Sequence, residues 1–258
     1  MRLAAISDVF VVRTDEIGFV DELDNEPQRT AAMGRVAQDL ACAGELSRWR
    51  DEPYAVAPGL GATPWFLLER AAARYFGIHT YAAHVNGVVS ADHDTLMWLA
   101  RRSEAKAIDP GMLDNLVGGG VAAGKSVAAT VVKEAWEEAG IPTPLACLAR
   151  NVGTVEIWRE QPDGLQNETI FVHDLWLPAA FLPVGHDGEV VDHRLVRLAE
   201  ATRLIAAERG LDVVTADASL VILDFLIRHG QIAHEATAYQ TLDALRHPTT
   251  SFVGSSAR

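Results

Sequence analysis

The chain has 258 residues, of which 49% are hydrophobic and 22% are charged, and its formal net charge is −13. These proportions are ordinary for a globular protein and exclude disordered, collagen-like and coiled-coil chains. No apolar run approaches the roughly 18 residues that a membrane helix needs, and the N-terminal stretch, broken by Asp8, does not have the pattern of a signal peptide. The acidic balance argues against nucleic acid as a partner, because backbone binding needs a basic face.

The two cysteines, Cys42 and Cys147, lie far apart and match no metal-ligand spacing. So few cysteines in a chain of this length predict a reduced, cytoplasmic protein. We therefore expect neither disulfides nor a membrane partner.

The first part of the chain predicts two helices in a small α+β region over residues 1–75. Residues 27–49 carry apolar side chains at a helical period, at Met33, Val36, Leu40 and Leu46. Residues 64–75 predict a second helix, with Pro64 near its first turn.

Extended segments follow, and we place a domain boundary near residue 76. Thr80–Val89 predicts a strand with a turn or bulge at Asn86-Gly87, and Leu96–Arg102 predicts a second strand. The predicted second domain covers residues 76–235, and a C-terminal helix and tail are predicted for residues 236–258.

The middle of the chain predicts a strand, a glycine loop and a helix in succession. Leu113–Val117 is the strand candidate, and the glycines at 118–120 predict a loop. Ser126 is a suitable N-cap for a helix over Val127–Ala139, because its hydroxyl can accept from a free backbone N–H. Gly140 is a typical residue to end that helix.

Three carboxylates share one face near the end of this helix, because Glu134 lies three residues before Glu137 and four before Glu138. Like charges at this spacing repel one another, but gathered carboxylate oxygens suit a hard divalent cation such as Mg²⁺ or Mn²⁺. A plain solvated surface is the alternative interpretation, because charged runs are common on exposed helix faces.

The same segment resembles the Nudix hydrolase signature, which is Gly, five residues, Glu, seven residues, Arg-Glu, an apolar residue, any residue, Glu-Glu, any residue, Gly and an apolar residue. Here the frame runs from Gly119 to Ile141 with its spacing intact. Lys125 stands where the first Glu is expected, and Lys133 where Arg is expected. The internal arginine–glutamate pairing of the family is therefore predicted to be absent.

The likeness extends over most of residues 50–230 and is closest to a Nudix branch related to thiamine pyrophosphokinase. The segments that carry it are residues 80–89, 97–120 and 220–230. Members of this branch carry an additional N-terminal region. The resemblance implies hydrolysis of thiamine diphosphate or its damaged analogues.

A second motif overlaps the first, because Gly119 to Ser126 also satisfies the P-loop pattern. A P-loop protein needs strands that alternate with helices in a parallel sheet. Thr154–Arg159 and Thr169–Leu177 instead predict a hairpin around residues 161–164. The run at 220–227 favours a buried helix over a strand.

Further candidates for the site carry charge. Arg101, Arg102 and Lys106 form the best basic cluster and could meet substrate phosphate, although the end of a strand is an equal alternative. Lys125 could be an auxiliary phosphate contact. Glu189 lies where Nudix proteins often supply another carboxylate, and its alternative is a turn residue before a strand.

We interpret the chain as an α/β protein, a Nudix-type α/β/α sandwich with a mixed sheet preceded by the small α+β region. The resemblance implies metal-dependent hydrolysis of a diphosphate linked to an organic group. It assigns Mg²⁺ (or Mn²⁺) to Glu137 and Glu138 with the carbonyl of Gly119, and gives Glu134 to the metal or to proton transfer. Trp136 is predicted to pack against the sheet.

Two alternatives of other classes stay open. The first is a non-catalytic Nudix module that binds a ligand, which Lys125 and Lys133 favour. The second is a P-loop nucleotide-binding protein. The expected partner is a small-molecule diphosphate, and a homodimer is left open.

Overall fold

The computed structural model describes residues 6–14, 16–46, 49–91, 94–233 and 238–248. The chain divides into two compact units. The first consists of residues 1–79, 122–124 and 161–165, and the second contains the rest. The predicted boundary near residue 76 stays a proposal about the domain limits.

The first unit pairs one helix with two short hairpins. Its elements are β1 (Phe10–Val12), β2 (Ile17–Phe19), α1 (Glu26–Cys42), β3 (Pro53–Val56) and β4 (Phe66–Glu69). The side chain of Asn25 caps α1 by accepting from the N–H of Gln28. The helix predicted over 27–49 exists but ends early, since Gly44 has a left-handed backbone with φ of 74°.

The helix predicted over residues 64–75 is wrong. Strand β4 occupies its first half, and a 3₁₀ turn at Arg70–Ala72 follows. Tyr54 of β3 lies opposite Leu68 in an antiparallel ladder. This pairing overrides the local helical pattern, because a short apolar run is compatible with either structure until its partner is known.

The second unit is built on one seven-stranded sheet with the order β11-β6-β5-β10-β9, in which β7 pairs with β6 and β8 with β5. The strands are β5 (His79–Ala91), β6 (Asp94–Arg102), β7 (Leu113–Asn115), β8 (Val117–Gly120), β9 (Arg150–Gln161), β10 (Gly164–Trp176) and β11 (Val190–Arg197). The hairpin predicted around residues 161–164 is the turn between β9 and β10.

This sheet is mixed. Strand β6 is antiparallel to both β5 and β11. Between β5 and β10 the side-chain contacts advance in the same direction, from Thr80 with Glu168 to Asn86 with Asp174. Neighbouring strands whose contacts advance together run parallel, so the sheet has the mixed character that the sequence predicted.

Two local predictions in this sheet are wrong. Asn86 and Gly87 form neither a turn nor a bulge, because β5 continues through them and Gly87 lies opposite Trp98. The glycines at 118–120 form no loop, because they belong to β8 and pair with residues 82–84 of β5. In both places, pairing with a neighbouring strand keeps the glycines extended, although their local sequence favours a turn or a loop.

Helices cover both faces of the sheet, which is the predicted α/β class. On one face α2 (Val127–Ala139) packs Val131, Ala135 and Ala139 into an apolar cluster with Val85. The short α3 (Thr143–Ala146) follows it.

On the other face lie α4 (Leu198–Ile205) and α5 (Ala216–Arg228), and Phe225 packs there with Met97. The helix predicted over the run at 220–227 is therefore confirmed. A last helix, α6, covers Tyr239–Leu245, and the predicted tail after residue 248 lies outside the described residues. No helix in the described part of the chain is long and apolar enough to cross a bilayer.

Candidate active site on helix α2

Helix α2 begins and ends where the sequence predicted. The hydroxyl of Ser126 accepts from the N–H of Ala129 at 3.1 Å, which satisfies one of the donors exposed at the helix start. Gly140 has a left-handed backbone with φ of 62° and closes the last turn. These two ends fix which side chains the helix presents to β8.

The Glu138 side chain is buried against β8. It is 6% exposed, and its Oε2 accepts from the N–H of Gly118 at 2.7 Å. Burial raises the pKa of Glu138 well above its ordinary value, and the charges of Asp114 and Glu134 add to this effect. The N–H of Gly118 and the charge of Lys106 act in the opposite direction. A nearby cation would favour the ionised form of this carboxyl.

Glu134 lies directly over Gly119. A Cβ atom at position 119 would be 2.4 Å from Cγ of Glu134, so only glycine leaves room for this side chain. On the next residue back, a Cβ atom at Gly118 would be 3.0 Å from the ring of His84. Because these two glycines carry no side chains, Glu134 of α2 and His84 of β5 can pack directly against the backbone of β8.

Lys133 links two of the predicted metal-binding carboxylates. Its Nζ lies 3.0 Å from Oε1 of Glu134 and 2.6 Å from Oε2 of Glu137. These hydrogen bonds hold the pKa of Lys133 above its ordinary value although partial burial opposes the charge. The predicted absence concerned an arginine–glutamate pair, and at position 133 a lysine–glutamate pairing takes its place.

The site fits a hard divalent cation in its donor chemistry. Three carboxylates and a backbone carbonyl are the oxygen ligands that Mg²⁺ and Mn²⁺ prefer. The ammonium group of Lys133 shows that Glu134 and Glu137 converge on one positive charge. Within the described ranges, however, no three His, Cys, Asp or Glu side chains are already arranged to hold a metal. Glu138 faces Gly118 in this arrangement, so binding would need it to turn.

Lys106 and Glu189 lie together beside this site. Their side chains form an ion pair, and the charge of Lys106 acts on Glu138. The backbone carbonyl of Glu189 also accepts from the N–H of Ser103 at 2.8 Å. Both residues were candidates from the sequence, and whether they bind substrate stays a prediction.

Arg101 and Arg102 make internal contacts at the end of β6. The Arg101 guanidinium donates to the carbonyl of Gly111 at 2.8 Å and pairs with Asp212. Arg102 pairs with Asp114 at 2.7 Å and donates to two nearby carbonyls. These contacts favour the alternative that both arginines belong to the end of a strand and do not bind phosphate, because a phosphate would have to displace their present partners.

Of three other residues in this region, one was a candidate from the sequence, one was missed, and one was predicted in the wrong surroundings. Lys125 is exposed immediately before the helix cap. Asp114, which raises the pKa of Glu138, was missed, because only the pairing of β7 with β6 brings it close. Trp136 was expected against the sheet, but it is 52% exposed and contacts the His186 ring at a tilt of 33°, with ring centroids 4.6 Å apart.

The P-loop interpretation does not agree with this geometry. Gly119 and Gly120 lie opposite Ala83 and Ala82 in an antiparallel ladder. A phosphate-binding P-loop instead needs its glycines in a loop that connects a strand to a helix.

The Nudix domain family matches residues 80–217, and a domain of unknown function, DUF4743, matches residues 1–80. The first match covers more than half of the chain and includes the whole of α2 and the strands around it. The chain therefore belongs to the Nudix family.

Several known proteins resemble this chain. It is 41% identical over 220 residues to "Nudix hydrolase 24, chloroplastic" of Arabidopsis thaliana, an overlap of 85% of this chain and 60% of that protein. It is 33% identical over 224 residues to "Uncharacterized protein YJR142W" of Saccharomyces cerevisiae, with 80% of this chain and 64% of that protein covered. The chain thus spans less than two thirds of the length of these relatives.

Among solved structures, DR0079 from Deinococcus radiodurans superposes with a TM-score of 0.50 at 18% identity, covering 66% of this chain and 97% of that one. A likeness at this identity concerns the fold alone.

Proposed function

We propose that this chain is a pyrophosphohydrolase that cleaves a diphosphate linked to an organic group and releases a monophosphate. The proposal rests on one observation of α2: Glu138 is hydrogen-bonded to the backbone of Gly118, and Glu134 packs over Gly119. Membership of the Nudix family and the word hydrolase in the name of the Arabidopsis relative support it.

The proposed cofactor is Mg²⁺ or Mn²⁺, held by Glu137 and Glu138 with the carbonyl of Gly119 as a further ligand. When bound, such an ion polarises the phosphoryl oxygens and lowers the pKa of a coordinated water. Glu134 would position the ion or accept a proton from the attacking water. Because burial raises the pKa of Glu138, a nearby positive charge would favour its ionised form.

Cationic side chains would receive the phosphate groups of the substrate. Lys106 is the best placed of the predicted contacts, because its charge already acts on Glu138. Lys125 is exposed beside the helix start and can reach outward. Arg101 and Arg102 would contribute by holding the surrounding loops, given their internal partners.

The proposed substrate is thiamine diphosphate or a damaged analogue. Support comes from the resemblance of residues 80–89, 97–120 and 220–230 to the branch related to thiamine pyrophosphokinase. We expect ADP-ribose and nucleoside triphosphates to be poorer substrates. A small molecule is the proposed partner, and a net charge of −13 supports the exclusion of nucleic acid.

The test is monophosphate release from a panel that contains thiamine diphosphate, its oxidised analogues, ADP-ribose and nucleoside triphosphates. Each reaction is run with Mg²⁺ and again with a chelator. Metal-dependent release from thiamine compounds supports both the reaction and the substrate. A nucleotide that is preferred by a wide margin rejects the thiamine assignment, and the absence of turnover on every diphosphate rejects the enzyme.

A non-catalytic module is the second candidate, and the pairing of Lys133 with Glu134 and Glu137 favours it. In a module that never binds a divalent ion, an internal ammonium group would neutralise the same carboxylates permanently. Ligand binding without turnover on the same panel, in saturating Mg²⁺, would establish this candidate.

Substitution of Lys125 distinguishes these two proposals from nucleotide binding by a P-loop. We expect Lys125→Ala to retain measurable hydrolysis, while Glu138→Gln removes most of it. Tight ATP binding that vanishes in Lys125→Ala but is indifferent to Glu138→Gln would instead establish the P-loop function.

Location and assembly are also proposals. The cysteine content supports a cytoplasmic protein, whereas the Arabidopsis relative is named chloroplastic. A homodimer stays a proposal that sedimentation of the purified chain would test.

A further inference from the structure

Strand β5 changes partners in the middle of its length. Its first half pairs with β8 up to Val85, and its second half pairs with β6 from Gly87 onward. In the described part of the chain, Asn86 lies between these two ladders and is opposite no residue of either. The position of the backbone at Gly118 therefore depends on what holds this junction together.

The same junction separates β7 from β8. Strand β7 ends at Asn115, which lies opposite Leu99 of β6, and β8 begins at Val117 and pairs with β5. Leu116 between them fills the space beside Gly87, where a Cβ atom would lie 2.1 Å from the leucine side chain. The chain thus passes from one neighbouring strand to the other within a single residue.

Buried side chains connect the strands across this junction. Nδ2 of Asn115 donates to Oδ1 of Asn86 at 3.2 Å, and Oδ1 of Asn115 lies 2.8 Å from Nδ1 of His84. Nδ2 of Asn86 donates to Oδ1 of Asp174 on β10 at 3.1 Å. These four residues form the polar bridge, and the most exposed of them is His84, at 8%. Polar groups buried so deeply cost free energy unless they are paired, so each member of the bridge depends on its neighbours.

Arg228 of α5 sets the direction of the hydrogen bonds in the polar bridge. It donates to both oxygens of Asp174, at 2.7 and 3.0 Å, and a guanidinium offers no acceptor, so Asp174 accepts. Asn86 must therefore turn its amide nitrogen to Asp174 and its oxygen to Asn115. Asn115 then turns its own oxygen to the ring of His84, so Nδ1 of that ring carries a hydrogen.

The last member of the polar bridge lies on the backbone of the candidate active site. His84 lies opposite Gly118 in the ladder of β5 and β8, and a Cβ atom at Gly118 would be 3.0 Å from the imidazole. The N–H of Gly118 donates to Glu138, and Gly119 is the next residue of β8. An imidazole whose orientation is fixed by Asn115 therefore limits where this backbone can lie.

We propose that His84, Asn86 and Asn115 are positioning residues, which hold the backbone of β8 in place beside α2. The inference rests on the proposed function, in which the carbonyl of Gly119 and the carboxylate of Glu138 are metal ligands. The three side chains act through the backbone of β8 and need no contact with the metal or the diphosphate. A shift of about 1 Å in such a ligand can slow a reaction on the order of 100-fold.

Asp174→Asn tests the direction of the polar bridge. Arg228 still needs an acceptor, so an amide at position 174 offers its oxygen to Arg228 and its nitrogen to Asn86. Asn86 and Asn115 must then both reverse, and Nδ1 of His84 becomes an acceptor. The double variant Asn86→Asp with Asp174→Asn restores the original direction, because a carboxylate at position 86 accepts from both of its neighbours.

Two further variants complete the set. Asp217→Asn is the matched control, because it makes the same change on α5, where Asp217 accepts from Gln166 and does not belong to the polar bridge. Asn115→Ala breaks the bridge and leaves the pair of Asp174 and Arg228 intact. Circular dichroism and thermal unfolding establish which variants fold. If Asp174→Asn does not fold, the tautomer of the unmodified chain and the behaviour of Asn115→Ala decide the test.

The first readout is the tautomer of His84, measured by nitrogen NMR on the full chain with labelled histidine at about pH 8.5, above the range in which imidazoles usually titrate. The signals of His84 are identified by their loss in His84→Gln. We expect the hydrogen on Nδ1 in the unmodified chain, in Asp217→Asn and in the double variant, and on Nε2 in Asp174→Asn. A hydrogen on Nε2 in the unmodified chain, or an unchanged tautomer in folded Asp174→Asn, overturns the inference.

The second readout is hydrogen exchange of the Gly118 amide, which needs no turnover. Its rate is compared with that of Met97, a buried residue of β6. We expect Asp174→Asn and Asn115→Ala to raise the relative rate about tenfold, and the double variant to return it to within about threefold of the unmodified chain. Unchanged protection of Gly118 in Asn115→Ala overturns the inference.

The third readout is steady-state kinetics on the diphosphate that the unmodified chain turns over fastest. We expect Asp174→Asn and Asn115→Ala to lower kcat about tenfold or more and to leave KM within about twofold, and the double variant to regain kcat to within about threefold. A normal kcat in folded Asn115→Ala, or a folded double variant as slow as Asp174→Asn, overturns the inference and keeps the enzyme. Failure of the proposed function would look different: the unmodified chain would turn over no diphosphate, although the tautomer and the exchange rates behaved as expected.

Discussion

At the scale of single residues, Glu138 combines deep burial with a proposed role as a metal ligand, which needs negative charge. Its carboxyl accepts from the N–H of Gly118 and is 6% exposed. An amide at this position can still accept that hydrogen bond, but it cannot carry the charge that attracts a divalent cation.

We therefore expect Glu138→Gln to lower kcat/KM by about 100-fold or more while the fold is retained. An amide also removes a carboxyl whose ionisation is disfavoured by burial, so the variant should be slightly more stable than the unmodified chain without metal. Steady-state kinetics at limiting and saturating Mg²⁺ measure the first effect, and urea unfolding the second. Glu208→Gln, the same change at an exposed site, is the control, and near-normal turnover of Glu138→Gln at limiting Mg²⁺ would disprove its role as a ligand.

Lys133 makes a second prediction at this scale, because its ammonium group lies between Glu134 and Glu137. We expect Lys133→Met to strengthen Mg²⁺ binding to the substrate-free protein, since a competing positive charge is removed. The lysine is 54% exposed, so the gain should not exceed about fivefold. Calorimetric titration with Mg²⁺ measures it, with Lys125→Met as a control of equal charge change. Weaker binding in Lys133→Met would mean that the lysine orients the carboxylates for the ion.

At the scale of elements, the two ends of α2 differ in what they contribute. Ser126 caps the first turn through a single hydrogen bond. Gly140 ends the helix with a left-handed backbone, and a Cβ atom there would be 2.8 Å from the carbonyl oxygen of Val184. The Ser126 end depends only on neighbouring residues, whereas the Gly140 end also packs closely against the backbone of Val184.

We expect Ser126→Ala to destabilise the fold by about 1 kcal/mol and to leave kcat nearly unchanged. Gly140→Ala should cost more, at least about 1–2 kcal/mol, because it combines backbone strain with a steric clash. Thermal unfolding ranks the two variants, and activity below the unfolding transition separates stability from catalysis. A larger loss of stability in Ser126→Ala than in Gly140→Ala would contradict this account of the helix ends.

At the scale of the whole molecule, Glu168 links stability to pH. Burial raises the pKa of Glu168 from its ordinary value of 4.5, and the charge of Asp217 adds to the shift. Hydrogen bonds from Gln166 and Thr80 and the charge of His84 oppose it. The folded state therefore binds this proton more tightly than the unfolded state does, so stability falls as pH rises from 4.5 through the raised pKa.

We expect Glu168→Gln to remove this loss, because an amide does not ionise. The free energy of unfolding of the variant, relative to the unmodified chain, should grow as pH rises from about 4 to about 8. Urea unfolding at several pH values measures the difference, and Glu208→Gln gives the baseline for an exposed glutamate. A difference that is constant with pH would show that the pKa of Glu168 is the same in the folded and unfolded states.

The parts of the fold that were predicted correctly depend on neighbours along the chain. The helix cap at Ser126, the stop at Gly140 and the hairpin after residue 161 are signalled within a few residues. The parts that were missed depend on distant partners. Strand β4 forms because β3 lies beside it, and the glycines of β8 are extended because β5 supplies their ladder.

The sequence by itself determined the Nudix family, the α/β class and the face of α2 that carries Glu134, Glu137 and Glu138. These follow from spacing along the chain, which is the same in any conformation that forms the helix. Only the tertiary structure decided that Glu138 lies buried on Gly118 and that Glu134 lies over Gly119. Such properties depend on side-chain direction and on removal from water, and neither is set until the helix packs on the sheet.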